Sequence, residues 1–431
     1  MNFRSFSVLF ALAVCATATT AEAAVHRVFP DQSIQAAIDG ASPGDTILVE
    51  PGTYQEAGRV ISDDGTKTAG LHITTDNLRL IGKARPGQGE DGKVILLHSD
   101  GQYTGVYAAP DGCGHRLPVG ECEDELQGFY IRGFTVKNFP GDGIQTRFVN
   151  GFKIIRNESS NNKHNGIYPT ISANGLVQNN VSYGASDTAM WVAASQNVRV
   201  IGNDLSESPI GLEVNVSLNV EVRHNNIHNN TVGIGLFHPN TAGNDPLPVM
   251  GNWVVEHNNV YDNNVLPDDL PNPAPPGSFQ GELPPGVGIL VLGVSNNVVG
   301  KNTVENNDFV GIGVLGWCTA AFTIPGRDCV TDPPFRGGVL QDPSVSNNLI
   351  AQNEVRGNGT NPPAGPLEFL AADITYFSFW PEGIFPPPNE TSSGNCFEKN
   401  KPKDGFTASS YDAFPGPPFF GTNGPLPTDG C

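Results

Sequence analysis

The chain has 431 residues, 16% of them charged, and its 44 acidic side chains outnumber 24 basic ones for a formal net charge of −20. That balance excludes nucleic acid and anionic membrane surfaces as partners, because both reward a basic footprint.

Met1 to Ala24 carries one arginine, an apolar run from Phe6 to Val14, and Ala21-Glu22-Ala23 as a small-x-small cleavage site. This pattern predicts an export signal over residues 1–23, so the mature protein is expected in the periplasm or outside the cell. Val14 is too large to precede a lipidated Cys15, and no other segment is long and apolar enough to span a bilayer. Cleavage removes Arg4 and Glu22 together and leaves the net charge unchanged. Next, Asp31-Gln32-Ser33-Ile34-Gln35-Ala36-Ala37-Ile38 places cap residues before apolar positions four apart. It reads as a short amphipathic helix lying over an open end of the fold. Pro43-Gly44-Asp45 then turns into a strand, Thr46-Ile47-Leu48-Val49.

From about residue 143 the chain repeats one pattern every 22 or 23 residues, with Gly-apolar marks at Gly143-Ile144, Gly166-Ile167, Ala189-Met190, Gly211-Leu212, Gly233-Ile234, Gly288-Ile289 and Gly311-Ile312. Asn157, Asn180, Asn203, Asn225, Asn258, Asn302 and Asn353 keep the same beat. Between the marks the residues alternate, as in Leu212-Glu213-Val214-Asn215, which is the period of a strand. A repeat this short has no room for a crossover helix, so successive turns stack directly, each strand pairing in parallel with its copy above. The expectation is an all-β solenoid over residues 24–356. Asparagine suits its corners because it tolerates the left-handed backbone region and its amide reaches the copy in the next coil. Pro-rich insertions interrupt the beat at 238–249, 265–285 and 317–345. They are long enough either to build a cleft or to cover strand edges. Residues 357–431 lose the repeat and are expected to form an irregular Pro- and aromatic-rich tail that seals the far end.

Six cysteines follow the signal, an even number that an oxidising compartment pairs. Local pairing joins Cys113 to Cys122, Cys318 to Cys329, and Cys396 to Cys431. None has the Cys-x-x-Cys spacing of a zinc site.

The run Ser33-Ile34-Gln35-Ala36-Ala37-Ile38-Asp39, through Pro43-Gly44-Asp45-Thr46-Ile47 to Pro51-Gly52-Thr53-Tyr54, resembles the opening of right-handed parallel β-helix proteins, the pectin-lyase-like and NosD-type periplasmic repeat proteins. The resemblance covers roughly residues 25 to 355 and implies a single-stranded right-handed parallel β-helix. Relatives include lyases, epimerases, hydrolases and non-enzymatic periplasmic proteins, so it implies a fold more sharply than a reaction. Tyr168-Pro169, Gly184-Ala185-Ser186-Asp187 and Gly211-Leu212-Glu213 resemble a bacterial branch of that family. The Asp-Pro-His-Asp motif of mannuronan epimerases has no counterpart, Phe237-His238-Pro239-Asn240 lacking both aspartates. The Gly-His-Gly and Arg-Ile-Lys signatures of polygalacturonases and the Arg-x-Pro-x-x-Arg of pectate lyases are also absent.

In a solenoid, equivalent positions form columns, and the outward residues after each mark are expected to make one exposed face. One column runs Gln145, Tyr168, Trp191, Glu213, and its neighbour contains Arg147 and Asn215. In later coils both columns turn small and greasy. Aromatic rings pack on the apolar faces of sugars, while amides, carboxylates and Arg collect hydroxyls or a uronate carboxylate. Asp142, Lys163-His164 and Ser186-Asp187 occupy corner positions just before this face. Proton abstraction beside a uronate carboxylate needs a base, an acid and a cation for the enolate-like charge. His164 as base, Tyr168 as acid, and Arg147 with Lys163 as neutralisers fit a polysaccharide lyase or uronate C5-epimerase. Gln145, Trp191, Glu213, Asn215, Asp187 and Asp142 then bind the glycan. Asp142, Asp187 and Glu213 also offer carboxylate pairs for hydrolysis. Ca²⁺ bridging Asp142 and Asp187 is the one cofactor considered, without a motif behind it. The alternative is a monomeric, non-catalytic rod that binds glycan or protein.

Overall fold

Where no insertion intervenes, the chain returns every 22 or 23 residues to lie one ladder spacing above itself, so that Gln196 pairs with Leu218 and Asp204 with Asn226. The computed structural model describes residues 22–85, 87, 89–114, 122, 124–237, 250–323, 343–365, 367–379, 389–402, 404–408, 422–428 and 431. Each coil supplies three short strands, for example Gln196–Ile201, Asp204–Ser206 and Ile210–Asn215. Stacking yields sheets of 12, 10 and 13 strands among the described residues. Among the described residues pairing is parallel except for two terminal ribbons, Arg59–Val60 with Thr68–Ala69 and Asp404–Thr407 with Thr422–Pro425. Inward side chains such as Val198, Val200, Leu205, Leu212 and Val214 stack into one continuous core. Close stacking of one coil on the next explains the glycine marks: a Cβ on Gly233 would stand 2.5 Å from the carbonyl oxygen of Gly288, its equivalent in the following coil.

The asparagine column is a buried hydrogen-bonded ladder. Asn203 Nδ2 donates to Asn225 Oδ1 at 2.9 Å and to the Val177 carbonyl at 3.0 Å, and its Oδ1 accepts from the Asn180 backbone N–H at 2.9 Å. The left-handed backbone, however, belongs to the preceding residue. Arg156, Asn179, His224, His257, Lys301 and Gln352 all have φ between 54° and 59°, as Gly202 does at 67°. The two roles expected of one asparagine are therefore split between neighbours, one turning the chain and the other satisfying buried backbone groups. A second internal ladder, Asn230 to Asn263 to Asn307 to Asn358, runs beside the third sheet.

At the start, helix α1 (Ile34–Asp39) forms where expected. Ser33 caps it by accepting from the Ala36 N–H, and the Glu56 carboxylate accepts from the Ile34 N–H at 2.7 Å and from the Ser33 hydroxyl at 2.6 Å. Ile34 and Ile38 insert into the main core. At the other end the coil runs on past residue 356, contrary to the sequence expectation. Ala372–Phe377, Cys396–Glu398 and Asp404–Ala408 each add a parallel strand, and Asn400 extends the ladder from Asn353. Insertions had broken the spacing, while the stacking itself continues.

Cys113 bonds to Cys122 and Cys396 to Cys431 as expected. Cys318 is also disulfide-bonded. Its expected partner Cys329 lies outside the described residues, as do the signal segment up to residue 21 and the insertion at 238–249. Among the described residues no helix is long and apolar enough to cross a membrane.

Candidate active site

The third sheet carries the expected columns in register. Gln145 pairs with Tyr168 and Trp191 with Glu213, while Ile167 opposite Met190 aligns Tyr168 with Trp191. Arg147, Thr170, Ala193 and Asn215 form the adjacent column. Strand alternation sends Ile144, Ile167, Met190 and Leu212 into the core and these residues outward.

The outward face is nevertheless buried, which corrects the expectation of an exposed one. Gln145 keeps 1% of its surface, Glu213 4% and Trp191 8%. On the N-terminal side Tyr107 packs with Ile61, Ala69 and Ala109 beneath the first ribbon. On the C-terminal side Phe237, Leu290, Leu292, Leu315 and Phe377 form a second apolar core outside the coil. Phe279 and Leu283 from an insertion, and Trp317 from helix α2 (Trp317–Thr323), close over it. The small and greasy columns were thus the floor of a second core, which the insertions remove from water.

Between these two roofs the corner residues meet. His164 Nδ1 lies 2.7 Å from Asp142 Oδ1, and its Nε2 lies 3.5 Å from Asp187 Oδ2. Asp142 Oδ1 also accepts from the Asn165 backbone N–H at 3.1 Å and from its Nδ2 at 2.9 Å. The Thr188 hydroxyl stands 3.1 Å from Asp187 Oδ1 and 3.3 Å from Glu213 Oε2, and Asn215 Nδ2 donates to Glu213 Oε1 at 3.0 Å. One hydroxyl proton serves only one carboxylate at a time, so the buried pair is comfortable when one member carries a proton. Burial, then the neighbouring Asp187 charge, holds the Glu213 carboxyl well above the usual range. Burial also raises Asp187, but there the facing His164 charge and the Thr188 hydroxyl pull the other way. Both carboxyls are thus held upward, Glu213 the more strongly.

Burial opposes charge on His164, yet the Asp142 carboxylate, with Asp187 behind it, overcomes this and pushes the imidazole up to about 9. Its side chain still keeps 40% of its surface open to solvent. The ring therefore sits as an imidazolium at neutral pH and spans the two carboxylates that a bridging Ca²⁺ would need. The stabilisation it brings is complete below pH 6.5, its ordinary value, and is lost as pH rises through about 9. The melting temperature is expected to fall across that window, and His164→Gln to remove that part of the fall. An identical pH profile in the variant would refute the pairing.

Tyr168 and Trp191 stack at 4.6 Å between centroids and 12° between planes. Burial drives the Tyr168 phenol far above its ordinary value, so it remains a neutral donor. Arg147 is buried on the same face, near Tyr107 and Tyr168, and burial lowers its guanidinium. Lys163 is not brought in: its side chain is exposed, and only its backbone carbonyl joins the network, accepting the Ser186 hydroxyl. Sequence reasoning missed Thr188 and Asn165, which adjoin Asp187 and His164 but break no pattern.

Among the described residues one group brings together three side chains of metal-ligating type, Cys396, Glu398 and Cys431. Its two thiols are consumed by the disulfide.

No curated protein matches the chain. Among solved structures it is similar to the A-module of mannuronan C-5 epimerase AlgE4 from Azotobacter vinelandii, with 14% identity over 85% of this chain and 91% of that one and a TM-score of 0.48. It is also similar to pectate lyase Pel9A, at 15% identity over 92% and 84% of the two chains with a TM-score of 0.40. The alginate lyase from Paenibacillus sp. str. FPU-7 follows at 12% identity, 83% and 98% coverage, and a TM-score of 0.40. The family model described as "Right handed beta helix region" matches residues 102–245 and 142–324, together just over half of the sequence. With its parallel three-sheet coil, the chain belongs to the right-handed β-helix family.

Proposed function

We propose that this protein is an exported, carbohydrate-active enzyme that works by proton transfer, a polysaccharide lyase or uronate C5-epimerase. The observation carrying this reading is the run Asp142, His164, Asp187, Thr188, Glu213, Asn215, joined across consecutive coils beside the Tyr168–Trp191 stack and Arg147. A carboxylate and a carboxylic acid with opposite protonation are the two halves of acid–base catalysis. Asp187 takes the proton beside the uronate carboxylate, and Glu213 or the Tyr168 phenol supplies one. The His164 imidazolium and the Arg147 guanidinium balance the charge that develops. This reassigns His164 from base to cation at neutral pH. Two disulfides agree with an oxidising compartment outside the cytoplasm.

Incubation with uronate polymers tests the reading, with and without Ca²⁺. Elimination gives an unsaturated product that absorbs in the ultraviolet, and epimerisation changes the anomeric NMR pattern without cleavage. Neither signal on any uronate polymer would retire it. Hydrolysis of a neutral glycan is the second reading, favoured by the single hydroxyl that bridges Asp187 and Glu213 and so keeps the two carboxyls close. New reducing ends without ultraviolet absorbance would select it. Retention on a glycan matrix with no product at all would instead favour a binding rod.

A further inference from the structure

The sheet of 12 strands takes no part in the candidate active site, and one stretch of its outer face carries charge opposite in sign to that of the chain. Parallel register sets Arg79, Lys153 and Arg199 in one outward column, with Tyr130 and Leu176 between them, and Arg132 in the next column. Arg156 stands at the corner that follows. All five cations are exposed, and among the described residues none of them is ion-paired to a carboxylate. On and beside the rest of this sheet the cations are matched: Arg27, Lys83 and Arg85 reach Glu50 at one end, and Arg223 and Lys301 meet Glu256 further along. Unmatched like charges spread over four ladder steps, about 19 Å in all, repel one another and add nothing to the fold. Beside them runs the exposed asparagine ladder. Asn174 and Asn197 lie two residues before Leu176 and Arg199 on the same strands. Asn174 Nδ2 donates to Asn150 Oδ1 at 2.8 Å, Asn197 to Asn174 at 3.1 Å, and Asn219 to Asn197 at 3.0 Å. Each amide has a second N–H and a second lone pair, so the row can meet a row of hydroxyls.

We propose that this face is a second glycan site, which holds a uronate polymer along the coil axis, its carboxylates on the ribbon of Arg79, Arg132, Lys153, Arg156 and Arg199 and its hydroxyls on the amide ladder. It takes the class of ligand from the reading of the third sheet, but none of the chemistry. A single extended chain suits the ribbon because the ribbon is narrow. Glu125 leads into one of its strands, Glu158 follows the far corner, and Glu50 and Glu221 stand at its two ends. A flat anionic membrane would press on those carboxylates as well as on the cations. A nucleic-acid strand needs aromatic faces for its bases, whereas Tyr130, the ring between these cations, lies under the Arg79 guanidinium at 4.9 Å from its centroid. That contact also holds Arg79 in place before a ligand arrives.

The test measures binding of the full-length protein to fluorescently labelled alginate and polygalacturonate by anisotropy, with neutral dextran, single-stranded DNA and anionic lipid vesicles as comparators. Binding to the uronate polymers is expected, weakening steeply as salt is raised. Arg132→Glu with Lys153→Glu should weaken it roughly tenfold, because each reversal removes one exposed ion pair and adds one repulsion. Arg132→Lys with Lys153→Arg keeps the charge and should bind as the parent does. Glu213→Gln, on the other sheet, should also keep the parent's affinity, and the charge-reversed protein should process short uronate oligomers at the parent's rate. Binding without turnover retires only the catalytic reading, and turnover without loss of affinity in the charge-reversed protein retires only this one. No binding by the parent, affinity that follows Glu213 instead of the ribbon, or tighter binding to DNA or vesicles overturns the proposal as well. Should the charge-reversed protein fail to fold, Arg132→Gln with Lys153→Gln, expected to lose about threefold, decides in its place.

Discussion

Glu213→Gln is expected to cut glycan turnover roughly 100- to 10,000-fold, the range that one positioned acid or base contributes, while the protein melts at the same temperature or higher. The two halves of this result have one cause. Glu213 is buried, and its carboxyl is held protonated by burial and by Asp187. A raised carboxyl value means the folded state binds a proton that the unfolded chain releases, so the stability it allows declines as pH rises above the ordinary value of 4.5. Glutamine keeps the shape and the acceptor for Asn215 Nδ2, carries no charge to bury, and has no proton to give. The gain in melting temperature over the parent should therefore grow with pH. Turnover and thermal melts recorded between acidic and mildly basic pH check both. Full activity in the variant would remove Glu213 from the mechanism, and a lower melting temperature at neutral pH would mean that the carboxyl is ionised.

Asn203→Ala is expected to cost about 3 kcal/mol of stability, because it strips a buried ladder of partners rather than deleting one contact. The Val177 carbonyl loses a donor, and the Asn180 backbone N–H, buried in the stack, loses its acceptor. Each such orphan costs roughly 1–3 kcal/mol. Asn197→Ala is the control. Asn197 belongs to a parallel ladder on the surface, donating to Asn174 Oδ1 at 3.1 Å, and its groups turn to water when the partner goes. Its φ of 55° still penalises alanine, so about 1 kcal/mol is expected there. Chemical denaturation of the two variants side by side measures the contrast, and equal losses would mean that burial of the ladder is not what makes it stabilising.

The coil was legible because its spacing, its alternation and its asparagine beat describe the same object. The columns containing Tyr168, Trp191 and Glu213 could be written down from index steps alone, and the register agrees with them. What lies over those columns was not legible. Whether Phe279 folds back onto Phe237 depends on tertiary burial, for which an aperiodic, Pro-rich segment carries no local signal. The same holds past residue 356, where Ala372–Phe377 stacks on Val310–Leu315 although nothing in the index steps announces it. Protonation was hidden for a related reason. His164 looked like a base because a histidine in water is one near neutrality, and only its place between Asp142 and Asp187 makes it a cation.

The buried asparagine ladder fixes the alignment of each winding independently of how much chain separates one rung from the next. Asn180 and Asn203 are 23 positions apart, Asn225 and Asn258 are 33, and Asn302 and Asn353 are 51, yet the amide contacts all measure between 2.9 and 3.0 Å. The scaffold is thus a spool on which side branches of almost any size can be tied at a bend without slipping the thread. New walls around a groove can be gained, exchanged or lost there while the groove's floor stays where it is.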